Sequence, residues 1–206
     1  MPSISRSRGR RGRRQAVRDW ADGMPMDALL EIFHRLGHAD VMFAAGCVCR
    51  TWRRAARDEP SLWRCISMCC TEYDGLAGLR RYRYMLASAA LCRSAGQCEA
   101  FSFICGGNDA FLANLSVQAP RLKCLRLVSC NGITDKGLRK AIRGFPQLEE
   151  LEISLCKNIG GSRLFEVIGN ACPQLSRFRL NKQCFNNRDT WNLEKDAQGI
   201  ANMHGL

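Results

Sequence analysis

Histidines, cysteines and carboxylates are the side chains here that could ligate a metal or act as nucleophile and base. The three histidines are His34, His38 and His204. His34 and His38 fall one helical turn apart without a third ligand, so both are expected to be solvent-exposed. Among the thirteen cysteines, Cys47 and Cys49 are too close for C-x-x-C chelation, and Cys69 and Cys70 are adjacent. Structural zinc asks for four ligands at turn-compatible spacing, so neither a metal nor a cofactor is expected. Cys49 would need a partnering base to serve as a nucleophile. It has none, and its place on the apolar side of a helical stretch predicts packing instead. The chain has no G-x-S-x-G, no G-x-x-x-x-G-K and no H-E-x-x-H, and GGNDA at Gly106 is a turn. No catalytic residue is expected. The polar residues left with a suggestive spacing are Arg126, Glu150, Glu152, Arg177 and Arg179, at alternate positions of short apolar runs. Their chemistry is charge recognition.

The elements that position these residues can be read from apolar periodicity. Leu29, Ile32, Phe33 and Leu36 fall at i, i+3, i+4 and i+7, one stripe of an amphipathic helix. Pro25 precedes that helix, Asp27 lies in its first turn and Gly37 follows its last apolar residue. A second stripe runs through Val41, Ala45, Val48, Trp52 and Ala55, with Asp40 as the predicted N-cap and Pro60 as the stop. Leu62 and Trp63 follow. Two helices joined by so short a connection cannot bury both stripes against each other, so part of this surface is expected to meet a partner.

This stretch resembles the F-box, the helical module by which substrate receptors dock on the Skp-type adaptor of a cullin ubiquitin ligase. The resemblance rests on Met24-Pro25, Leu29-Leu30, Ile32-Phe33, Leu36, Asp40-Val41, Val48-Cys49-Arg50, Trp52-Arg53 and Leu62-Trp63. Met24 stands where leucine is usual, a volume-conserving exchange. The resemblance implies adaptor contacts at Pro25, Leu29, Ile32, Phe33, Leu36, Val41, Val48, Trp52 and Trp63.

Composition is ordinary for a globular chain, 46% hydrophobic and 24% charged. No apolar run reaches the roughly 18 residues that span a bilayer. Seven arginines (Arg6, Arg8, Arg10, Arg11, Arg13, Arg14 and Arg18) precede the first acid, Asp19, and hold more than half of the net charge of +12. Such a tail is expected to be disordered. Its possible tasks are nuclear targeting or weak electrostatic binding of nucleic acid, beside a plain solvated tail. With no secretion signal, the cysteines are expected to act as small buried hydrophobes in a reducing compartment, nuclear or cytoplasmic.

The second half repeats. Prolines at 120, 146 and 173 open units 26 and 27 residues apart. Leu122, Leu125, Leu127 and Cys130 recur as Leu148, Leu151, Ile153 and Cys156, then as Leu175, Phe178 and Leu180. This is the L-x-x-L-x-L-x-x-N/C pattern of leucine-rich repeats. An earlier degenerate unit holds Cys98, Phe101 and Phe103, and Leu79 to Ala95 is a predicted helix that caps or bridges. In the third full unit Cys184 comes one residue late, and Asn186 to Asp189 suggest a loop insertion. The end at Leu206 looks like the start of another strand, as if the array were cut short. The cysteine-ended units resemble plant-like F-box/leucine-rich-repeat proteins. That resemblance implies a concave face carrying Arg126, Glu150, Glu152, Arg177 and Arg179, with Arg126, Glu152 and Arg179 in a row of alternating sign.

The expected fold is α/β: a three-helix F-box, then a short solenoid of three to four repeats built from parallel strands and returning helices, with truncation of the array among the expectations. The expected divisions are a tail over 1–18, the F-box over 19–66, a helical linker or cap over 67–96 and repeats over 97–206. The function implied by the resemblance is a non-catalytic substrate receptor of an SCF (Skp-cullin-F-box) ubiquitin ligase. It would present an unknown protein for ubiquitination and proteasomal degradation. The alternatives are an adaptor-binding competitor without a substrate and an Arg-rich nucleic-acid binder. No membrane partner is expected.

Overall fold

The structure is a computed structural model that describes residues 20–21, 23–68, 77–182 and 199–201, with the backbone alone over 77–83. The arginine tail, Cys69 and Cys70, Cys184, the insertion at Asn186–Asp189, His204 and Leu206 lie outside the described residues.

Helix α1 covers Met26–His34 and starts at Pro25, whose extended ψ of 144° suits the position before a first turn. Leu29 and Phe33 are its buried residues. After Gly37 a helical run combines α2 (His38–Asp40), a π-helical turn (Val41–Ala45) and α3 (Gly46–Val48). Asp40 has helical φ and ψ inside this run and caps nothing, contrary to the sequence reading. The predicted continuous second helix is also broken. Cys49 is extended (φ −155°, ψ 178°), and its Sγ accepts the Trp52 N–H as the N-cap of α4, Arg50–Asp58. One extended residue resets the helical phase, so Val41, Ala45, Trp52, Ala55 and Ala56 point inward while Val48 is 45% exposed. A 3-10 turn, Pro60–Trp63, follows, with the Glu59 carboxylate accepting the Ser61 N–H at 3.3 Å.

The remainder is a five-stranded parallel sheet in the order β1-β2-β3-β4-β5, namely Cys65–Met68, Ala100–Ile104, Cys124–Val128, Glu150–Ser154 and Arg177–Asn181. Helices α5 (Ala77–Ser94), α6 (Asp109–Gln118), α7 (Asp135–Ala141) and α8 (Ser162–Ala171) return between successive strands. Alternation sends Ile66, Met68, Phe101, Phe103, Leu125, Leu127, Leu151 and Ile153 into the core between sheet and helices. No described helix is long and apolar enough to cross a membrane.

One backbone device recurs at the start of each strand pair. The carbonyls of Arg64, Glu99, Lys123 and Glu149 each accept two N–H groups from the entry to the next strand. At the strand exits, Cys105, Ser129 and Leu155 adopt left-handed φ of 57°, 54° and 58°. Each donates its N–H, at 2.8 Å, to the last carbonyl of the following strand. That bond offsets a backbone cost of roughly 1–2 kcal/mol for a residue with a Cβ. The thiols of Cys130 and Cys156 reach back to the carbonyls of Phe103 and Leu127, at 3.3 and 3.5 Å.

Because Arg64 takes part in this ladder, the sheet begins at Cys65, and β1 straddles the boundary expected between the F-box (19–66) and the helical linker (67–96). The first crossover is longer than the others, with 35 residues from Arg64 to Glu99 against 26 from Cys130 to Cys156. Ile66 and Met68 replace the leucines, so spacing and residue type both hid the strand.

Candidate functional site

The nine apolar residues expected to contact the adaptor separate into buried, half-buried and exposed groups. Leu29, Phe33, Val41, Trp52 and Trp63 are buried within the chain. The Phe33 and Trp52 rings meet edge to face at 5.4 Å, and Trp52 Nε1 donates to the Ala21 carbonyl at 3.1 Å. These five residues form the module's own core. Part of each stripe is covered within the chain, while Leu36 of the first stripe and Val48 of the second stay at the surface. Ile32 is half-buried against the core. Pro25, Leu36 and Val48 remain exposed.

Two exposed residues escaped the sequence reading, Met26 and Phe43. Phe43 is two positions after Val41, out of phase with the buried stripe, and a large apolar residue out of phase is a surface residue. That signal was available. Of the seven exposed large hydrophobics among the described residues, Met26, Leu36, Phe43 and Val48 all fall between Met26 and Val48, so apolar exposure is concentrated there.

His34 is exposed, but His38 is not the solvent-exposed imidazole expected. Its ring lies 5.6 Å from that of Trp63. Burial pushes its pKa below the usual 6.5, opposed by ring hydrogen bonds to the backbone of Cys65 and Leu62. Cys49 caps a helix, and the buried Cys98 thiol is pushed up to about 12 by desolvation, so it is unreactive. The cysteines are not uniformly buried, however: Cys47, Cys65, Cys92 and Cys105 are exposed.

On the outer face of the sheet the register sets Arg126 beside Glu152 and Glu152 beside Arg179. Glu152 Oε2 is 2.8 Å from Arg126 Nε and 3.6 Å from Arg179 Nη1, and Ser154 Oγ donates to its other oxygen at 3.1 Å. One row along the same face, Arg177 pairs with Glu150, and the Cys124 thiol lies 3.9 Å from Glu150. The strip therefore carries three guanidiniums against two carboxylates. Toward β1 the same face changes character, to Cys65, Ser67, Ala100 and Ser102.

A helical module sealed onto the first strand of a parallel repeat sheet defines a class of protein, and comparison with known proteins identifies it. Residues 21–69 match the F-box-like family. The chain belongs with the plant F-box/leucine-rich-repeat proteins. It is 34% identical over 172 residues to the Arabidopsis thaliana relative named as F-box/LRR-repeat protein 23, covering 81% of this chain and 36% of the relative. F-box protein SKIP19 of the same plant is 33% identical, with 80% and 52% covered. The relative named as F-box/LRR-repeat protein 9 is 30% identical, with 80% and 66% covered. The chain thus spans between about a third and two thirds of the length of these relatives.

Proposed function

We propose that this chain is a substrate receptor of an SCF-type ubiquitin ligase. In this reading the F-box-like module binds a Skp-type adaptor, and the sheet and its helices form a leucine-rich-repeat arc that holds a protein target. The observation that carries it is the concentration of exposed apolar side chains, Met26, Leu36, Phe43 and Val48, on a module whose own core of Leu29, Phe33, Val41, Trp52 and Trp63 is already buried. Exposed apolar surface of this kind marks an interface.

The chain itself offers positioning. A target held on the arc and an adaptor held on the module are joined by one continuous body, and fixed separation raises the effective concentration of target lysines near the ligase. The charged strip of Arg126, Glu150, Glu152, Arg177 and Arg179 is the proposed target-facing surface. Its alternating signs favour orientation and selectivity over raw affinity.

The test is binding of purified adaptor to the full chain. Met26→Asp and Val48→Asp each place a carboxylate on the apolar face without touching the core, and each is expected to weaken binding at least about tenfold. Wild-type affinity in both variants would end the docking reading.

A further inference from the structure

Beside the apolar docking face lies an open groove of about 370 Å³ between the π-helical turn, α4 and α5. Met42, Phe43 and Ala56 give it apolar walls, and Arg53, Arg57 and Arg93 converge on it. Each arginine is anchored in a way that leaves guanidinium donors to spare. Arg53 Nε donates to the Gly46 carbonyl at 2.8 Å. Arg57 binds the neighbouring Asp58 at 2.7 Å, and both are exposed. Arg93 lies over the Trp63 ring at 5.2 Å and donates to the Ala56 carbonyl at 3.4 Å.

Three guanidiniums, Arg53, Arg57 and Arg93, converge on the groove, and Asp58 bound to Arg57 is the carboxylate beside them among the described residues. Burial first, and then the repulsion of Arg57, hold Arg93 below its ordinary pKa, opposed by Asp58, which itself holds Arg57 above its ordinary value. A guanidinium stays charged at physiological pH. The excess of positive charge favours an anion in the groove. Phe43 lines the groove and is itself one of the exposed apolar residues, so a partner that covers Phe43 also meets the arginines.

We propose that this groove receives an acidic segment of the adaptor, with a carboxylate among Arg53, Arg57 and Arg93 and an adjoining apolar side chain against Met42 and Phe43. The proposal rests on the docking reading above and gives that partner a chemical requirement: acidic residues beside its apolar contact. Planar, bidentate guanidinium donors suit a carboxylate.

The test is the affinity of full-length chain for purified adaptor between about 0.05 and 0.5 M NaCl. Wild type is expected to lose affinity steeply with salt. The Arg53→Glu/Arg57→Glu double variant is expected to bind about tenfold more weakly at low salt and to lose most of the salt dependence. Arg53→Lys/Arg57→Lys keeps the charge and is expected to retain much of both. Arg57→Gln, at an exposed position, serves the same comparison should the double reversal disturb folding. Unchanged affinity and an unchanged salt slope in the reversed variants overturn the proposal. If Val48→Asp still abolishes binding in that case, the docking reading stands and only the occupant of the groove is wrong. If Val48→Asp binds like wild type, both fall.

Discussion

At the scale of single residues, the structure separates side chains that look alike in sequence. Trp52 and Val48 sit on one predicted stripe, yet one is core and the other is 45% exposed. No residue preference decides this; the extended backbone at Cys49 does, and periodicity cannot reveal it. His38 shows the same limit, because nothing beside it in sequence announces Trp63. Its environment has a measurable consequence. Burial lowers its folded-state pKa from 6.5, so below pH 6.5 the unfolded chain takes up this proton more readily than the folded one. Stability linked to His38 is therefore full above the unfolded pKa and is lost as pH falls through the lower folded value. The melting temperature is expected to fall between about pH 7.5 and 5.5, and the fall should be shallower in His38→Gln, where this proton is absent. An identical pH profile in the variant would show that His38 carries none of the linkage.

At the scale of elements, what was legible was whatever recurs. The spacing of Leu125 and Leu127 with Leu151 and Ile153 placed β3 and β4, because inward alternation leaves a pattern in residue type. The ties between units were not legible, since they join residues of unlike kind. Asp109, at the start of α6, is the clearest of these. Its Oδ1 accepts the Thr134 N–H at 2.8 Å, and its Oδ2 accepts the Thr134 hydroxyl at 2.7 Å. Thr134 Oγ1 in turn accepts the Gly137 N–H as the cap of α7. One carboxylate thus aligns two neighbouring helices. Asp109→Ala is expected to destabilise the fold by about 1–3 kcal/mol, because it strips partners from polar groups at a helix start. A Cβ added at Gly137 would overlap Oδ1 and Cγ of Asp109, so Gly137→Ala should be costly alone and cheaper once Asp109→Ala has removed those atoms. A thermodynamic cycle over the two substitutions by denaturant unfolding measures this coupling, and strict additivity would contradict the bracket.

At the scale of the whole molecule, the sequence suggests separable parts, an F-box and a repeat array joined by a helical linker. The structure joins them covalently and through shared packing. Trp63 ends the helical module, is fully buried, and is covered by Arg93 of α5. One residue later Arg64 begins the sheet's backbone ladder and pairs with Glu99 at 2.6 Å. Strand β1 then packs Ile66 and Met68 into the same core as Phe101 and Phe103. The module therefore uses the sheet and α5 as its floor, which keeps the docking face and the charged strip in one frame. A module of this size has little core of its own, since short chains bury too small a fraction of their surface to be stable alone. A fragment comprising residues 1–64 would expose the faces of Leu62 and Trp63 that β1 and α5 cover. It is expected to show no cooperative melt followed by near-ultraviolet circular dichroism, while the full chain unfolds in one transition seen alike by tryptophan signals and by far-ultraviolet ellipticity. If the fragment melted cooperatively near the temperature of the full chain, the module would be autonomous. The sheet would then be cargo attached to it, not its foundation.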